Sequence, residues 1–245
     1  MKKFYLHLLV ALLPMVALTT FTSCGDDDEK VVVNPSNLQN QGGDNNNQQS
    51  HEIIVTVDAN GNADGGHRFS RIDETTFLID GIIYKYEDGY LIVSSYEPSL
   101  ITSNVEIISR LIYEGFRKRT MFVINIAQNV FKDCNNITSV NTGGSMIDIS
   151  PSAFFGCVRL KSITLGCDVN NIEQSAFSGC TNLTDVSCYA IEPPTAFSIS
   201  NNVNLYAFDL FYIKEHTTLH VPAGSVNAYK ATEPWKSFKS IVAIE

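Results

Sequence analysis

The chain of 245 residues is poor in basic side chains, with 17 Lys and Arg against 26 Asp and Glu, and its net charge is -9. No clustered Lys/Arg face can be assembled from so few, which argues against a polyanion binder and against nucleic acid as a partner. Tryptophan occurs once, at Trp235. After Phe21 no apolar run approaches the roughly 20 residues needed to span a bilayer. No His-Glu-x-x-His, Cys-x-x-Cys, Gly-x-Ser-x-Gly or phosphate-cradling glycine loop is present. The chain therefore offers no catalytic constellation and no cofactor site, and it does not read as an enzyme. His216 and His220 are four apart, a spacing that suits a metal on a helix. The stretch between them is strand-like and ends at Pro222, so no metal site is expected there.

What the N-terminus does contain is a basic start, Met1-Lys2-Lys3, then a mostly apolar stretch over residues 4–21, then the small residues Thr22-Ser23 before Cys24. This is the pattern of a lipoprotein signal peptide, residues 1–23, with Cys24 as the lipidation site. Acylation there anchors a protein to a membrane without spanning it. Losing Lys2 and Lys3 with the signal takes the net charge from -9 to -11. Four carboxylates follow Cys24 at Asp26, Asp27, Asp28 and Glu29. This start resembles Bacteroidetes-type lipoproteins, and the resemblance implies an outer membrane lipoprotein exposed at the cell surface. Residues 24–50, rich in Asn, Gln, Gly and Asp, read as a flexible linker.

The informative stretch lies between Asn125 and Val186. Phe131-x-x-Cys134, Phe154-x-x-Cys157 and Phe177-x-x-Cys180 repeat at intervals of 23 residues, and the register extends outward from them. Ile126, Ile149 and Ile172 hold one place, Val130, Ala153 and Ala176 the next, then Ile137, Leu160 and Leu183, then Val140, Ile163 and Val186. A unit this short cannot bury such an apolar set alone, so successive units must stack around a shared core. Leu160-x-x-Ile163-x-Leu165 carries the period-two pattern of a short strand with one buried face. The spacing falls in the leucine-rich-repeat range.

These residues resemble the BspA-like leucine-rich repeats of bacterial surface proteins. The resemblance extends to Phe77-x-x-Asp80-Gly81-Ile82-x-Tyr84 upstream of the repeats. It also covers Val221, Pro222, Gly224, Ser225, Tyr229 and Trp235 downstream of them. The expected fold is mainly β: a solenoid of about 23-residue coils over residues 105–200, an N-terminal antiparallel β module over residues 51–104 and a C-terminal strand-helix cap over residues 201–245. Residues 53–57 are expected to join the hairpin strands, and Leu205, Phe208 and Phe211 to form the core of a degenerate coil. Ser225 is placed as the N-cap of a short helix.

Besides Cys24, five cysteines remain after the signal: Cys134, Cys157, Cys167, Cys180 and Cys188. An odd number argues against a complete disulfide framework, and a stack of buried thiols is the favoured reading over bridges between coils. Asp58, Asn60, Asn62 and Asp64 alternate as in a calcium loop. Ala63 and Phe69 stand where an EF-hand needs Gly and Glu, so a glycine-rich hairpin loop is expected. The solvent-facing positions of the repeat strands are Ser139, Asn141, Ser162, Thr164, Asp185 and Ser187. They are the candidate ligand-binding residues, although they lack the aromatics and arginine that anchor tight interfaces. The resemblance implies adhesion to, or binding of, a host or bacterial protein, including host matrix or mucus. The alternative is a glycan-binding accessory lipoprotein of a polysaccharide uptake system.

Overall fold

The structure, a computed structural model, describes residues 52–114, 118–200 and 203–244. The signal peptide, Cys24, the linker and His51 lie outside the described residues. The chain opens with β1 (Ile54–Val57), β2 (Phe69–Arg71), β3 (Thr76–Ile79), β4 (Ile82–Glu87) and β5 (Tyr90–Tyr96). Strands β2 to β5 form an antiparallel meander. Two of its turns are made by Asp80-Gly81 and Asp88-Gly89, with φ of 50° and 88° in the first and 49° and 97° in the second. Such tight turns suit the right-handed twist of the strands they join, and their left-handed φ values favour Asp and Gly.

Next come β6 (Asn104–Glu106), β7 (Arg110–Tyr113) and β8 (Arg119–Ile126). Here the expected assignment of residues 53–57 is corrected. Strand β1 does not join the meander; it lies parallel to β7, which runs antiparallel to β8. The apolar alternation of β1 demands a sheet and a buried face, and both partners satisfy it equally. Strand β8 also pairs parallel with β5, so the meander continues into the repeats through backbone hydrogen bonds.

The repeats supply β9 (Ser139–Asn141), β10 (Asp148–Ile149), β11 (Ser162–Leu165), β12 (Asn171–Ile172) and β13 (Asp185–Cys188). Each full coil gives one strand to a parallel sheet and a residue pair to a second strip, through the end of β8 in the first coil and through β10 and β12 in the next two. Between the strip and the phenylalanine the chain turns through Asn129, Ser152 and Ser175, all with left-handed φ of 57° to 61°. It turns again just before each cysteine at Asp133, Gly156 and Gly179, with φ of 56° to 77°. This is why the non-apolar places of the repeat hold Asn, Ser, Asp and Gly.

Coils touch through their backbones at the corner after each sheet strand. Gly143 has a φ of 70°, and a Cβ on Gly166 would lie 2.0 Å from the Gly143 carbonyl oxygen. The rings expected to form a column do so and recruit neighbours at both ends. Tyr96, Phe131, Phe154, Phe177 and Phe208 stack with centroid separations of 5.3, 4.9, 5.2 and 5.2 Å. Phe131, Phe154 and Phe177 are buried, as are the unbridged thiols of Cys134, Cys157, Cys180 and Cys188.

Past the third coil come β14 (Phe197–Ser200), β15 (Val203–Tyr206), α1 (Leu210–His216), β16 (Thr218–Val221), α2 (Val226–Ala231) and β17 (Ser240–Ala243). Of the three residues expected in the core here, Phe208 is buried at 2 % exposure, whereas Leu205 and Phe211 are exposed at 36 % and 85 %. The reason is α1: the Asp209 carboxylate accepts from the N–H groups of Phe211 and Tyr212, starting a helix whose buried residue is Ile213. Ser225 stands at the N-cap position of α2 but makes no capping hydrogen bond; its side chain is buried and a 3₁₀ turn over Ala223–Ser225 leads in.

Trp235 and Tyr229 plug the end of the last coil. The Trp235 Nε1–H donates to Pro194 O at 2.7 Å and the Tyr229 hydroxyl donates to Ala190 O at 2.8 Å, so both rings are buried with their polar atoms satisfied. Trp235 and Phe238 meet Phe208 edge-on, at 5.7 and 5.4 Å.

Candidate binding face and the repeat family

Parallel, in-register pairing makes equal positions of successive strands into rungs of a ladder. The sheet order is β17-β16-β13-β11-β9-β6, and its registers bring all six candidate residues onto one face. One column runs Asn104, Ser139, Ser162, Asp185, Thr218 and Ser240. The other runs Glu106, Asn141, Thr164, Ser187, His220 and Val242. Val140, Ile163, Val186 and Leu219 alternate with these and are buried, which fixes the columns on the outside. Asp185 is exposed and the other five candidates are half-buried.

Sequence reasoning read strands near residues 105 and 218 but did not place them on this face. Asn104, Glu106, Thr218, His220, Ser240 and Val242 complete the two columns, and they stand outside the Phe-x-x-Cys register. Insertions separate them: β7 and β8 fall between β6 and β9, and β14, β15 and α1 fall between β13 and β16. The signal that could have aligned β16 with the repeat strands is Thr218-Leu219-His220-Val221, with the same alternation as Ser162-Ile163-Thr164-Leu165.

Hydrogen bonds within the face are concentrated at its two ends. Ser139 Oγ donates to Asn104 Oδ1 at 2.9 Å, and Ser240 Oγ donates to Thr218 Oγ1 at 3.0 Å. His220 Nε2 stands 3.3 Å from Asp185 Oδ1. In the middle, the hydroxyls of Ser162, Thr164 and Ser187 make no hydrogen bond within the described protein. Six strands at about 4.8 Å spacing give a face roughly 24 Å across.

The other candidates behave differently. The Asp58 carboxylate accepts from the N–H groups of Asn60 and Asn62 and from Asn62 Nδ2, which holds its pKa below the ordinary carboxylate value. Asp64 Oδ1 accepts from the Thr56 N–H at 2.8 Å. The loop thus uses its own carboxylates to close a hairpin, with Val57 bridging Ala63. Among the described residues no group of three or more His, Cys, Asp or Glu is placed to hold a metal. His216 ends α1 while His220 lies on β16, so the pair does not share a helical face. No described helix is long and apolar enough to cross a membrane.

The family model of the BspA type leucine rich repeat region matches residues 118–222 in six copies. The repeats are BspA-type leucine-rich repeats. Among crystal structures, the chain is similar to a leucine-rich repeat protein from Bacteroides capillosus ATCC 29799, at 18 % identity and a TM-score of 0.45, over 70 % of this chain and 100 % of that one. It is also similar to the leucine rich repeat protein of T. pallidum, at 17 % identity and a TM-score of 0.42, over 66 % of this chain and 82 % of that one. A leucine rich cell surface protein from Faecalibacterium prausnitzii A2-165 matches at 16 % identity with a TM-score of 0.42, covering 70 % of this chain and 43 % of that one. No curated protein sequence matches. In the three coils that carry Phe-x-x-Cys, the Phe and Cys face inward while the strand positions two apart face out.

Proposed function

We propose that this chain is a lipid-anchored, surface-displayed binding module that holds a protein partner across the six-stranded face. The observation that carries the reading is the free middle of that face, where Ser162, Thr164 and Ser187 offer hydroxyls that nothing in the described protein engages. A polar, largely uncharged surface favours many modest hydrogen bonds over a few deep anchors, and a face of this width supports an interface at the weak end of the specific range. Many copies anchored through Cys24 to one outer membrane would supply avidity, with host matrix or mucus proteins as the partners.

Ser162→Lys combined with Thr164→Lys tests this directly. Both positions point away from the core, so the melting temperature should hold while binding to matrix or mucus protein is lost. Should binding persist in the double variant but disappear with Asp58→Ala, the loop is the site and the face is scaffold.

A further inference from the structure

Strands β14 and β15 form a two-stranded antiparallel sheet of their own, with Phe197 opposite Tyr206 and Ser200 opposite Val203. The hairpin leaves the coil just after Thr195, which bridges Asn171 on the strip of short strands, and returns at Ala207, whose N–H donates to Ala196 O. It therefore springs from a different side of the coil than the six-stranded face. Its side chains are unusual for a projecting hairpin: Ile199 is 69 % exposed, Val203 57 % and Leu205 36 %. By the register, Ile199 lies on one face, and Val203 and Leu205 lie on the other, so both faces are apolar.

An isolated pair of strands is marginal in water, and stability comes with three or more strands. Proteins normally protect such edges with lysine, proline or a charge. Here the sequence from Thr195 to Phe208 contains no Asp, Glu, Lys, Arg or Pro. That gap favours a second copy of this chain as the occupant. A chain of net charge -11 once Lys2 and Lys3 leave with the signal repels its own copies over most of its surface, and this uncharged stretch is where two copies can meet without that repulsion. At the base both arms are tied to the third coil, Thr195 to Asn170 and Ile172 and Tyr206 to Ser175, but among the described residues Phe197–Ser200 make no backbone hydrogen bond outside the hairpin, so β14 is the open edge.

We propose that the hairpin is a homodimerisation element, in which β14 of one copy pairs antiparallel with β14 of a second about a two-fold axis to make a four-stranded sheet. A two-fold contact of this kind uses the same patch on both copies and closes on itself, so it yields dimers and not filaments. Anchoring in one membrane would raise the effective concentration that drives it.

The test uses the full-length chain displayed on cells, with photoreactive p-benzoylphenylalanine in place of Ser198. Illumination should give one product at twice the mass of the chain, and Ile199→Lys, which sets two like charges across the axis, should reduce it at least tenfold. The melting temperature of Ile199→Lys should stay within a degree of the parent, because the side chain is exposed. A product joined to a different protein, no product at all, or a product that survives Ile199→Lys would each overturn the proposal. The dimer contact and the binding face lie on different sheets, so adhesion lost with the dimer intact, or the reverse, separates this idea from the proposed function.

Discussion

The Cys157 thiol donates to the carbonyl oxygen of Phe131, one coil earlier, across 3.0 Å. Cys180 makes the same contact with Phe154 O at 3.3 Å. The Phe-x-x-Cys signature is thus a contact between coils as well as a pair of core residues: each ring stacks on its counterpart while the next coil's thiol satisfies its carbonyl. Sulfur suits the place because it packs as a small hydrophobe and still offers a weak donor.

The central ring of the column should be the most sensitive to truncation. Phe154→Ala removes a buried ring sandwiched between two others and should cost about 3–5 kcal/mol in chemical denaturation. Phe155→Ala next door removes a ring that is 37 % exposed and should cost far less. Equal losses at the two positions would mean the column is not where the stability resides.

Three glycines separate backbone strain from crowding. Gly166→Ala drives a methyl to within 2.0 Å of a backbone oxygen and should cost about 1–3 kcal/mol. Gly61→Ala meets nothing within 4 Å but has a φ of 87°, so about 1–2 kcal/mol is expected from the backbone alone. Gly224→Ala has neither problem and should be neutral to within about 0.5 kcal/mol. Thermal melts of the three should fall in that order.

The buried thiols make stability fall at alkaline pH. Burial pushes Cys188 up to about 11 and Cys180 up to about 12, from an ordinary thiol value of 9.0. The folded state therefore holds protons that the unfolded state has released, so this contribution is fully present below pH 9.0 and is lost as pH rises through about 11 to 12. Alkylation by iodoacetamide at pH 8 should leave Cys157, Cys180 and Cys188 unmodified in the folded chain and modify them after unfolding. Rapid labelling of the folded chain at these sites would show the thiols to be accessible.

The proposed anchor predicts a change of compartment. Cys24→Ala should release the chain from the membrane fraction, and protease added to intact cells should degrade the parent. Retention of the variant in membranes would rule out acylation as the anchor, and protection of the parent would rule out surface display.

The repeats were legible in the sequence because stacking requires the same apolar places in every coil. The 23-residue register therefore located Phe131, Phe154 and Phe177 and, through the strand alternation, the middle six residues of the face. What was not legible depends on partners the local pattern does not name. The alternation of Ile54–Val57 specifies a strand but not whether its neighbour is β2 or β7. Phe208 and Phe211 look alike as core candidates until Asp209 starts a seven-residue helix that turns one inward and the other out. The outer rungs at Asn104 and Ser240 come from strands whose spacing to the repeats is broken by insertions, so no fixed interval leads to them.

The ring column also determines where this protein can change its length. From Tyr96 to Phe208 the rings lie nearly parallel, with neighbouring planes tilted by no more than 24°, and each presents to the next the same flat surface it received. At Phe208 the pattern stops, because Trp235 and Phe238 approach edge-on at 63° and 75° and offer no further ring to stack upon. A whole 23-residue unit duplicated between Phe131 and Phe177 would meet a matching surface above and below, and would add one rung to each column of the face. The same unit grafted beyond Phe208 would meet the side of an indole. Whole units are thereby accommodated in the middle of the column and not beyond Phe208.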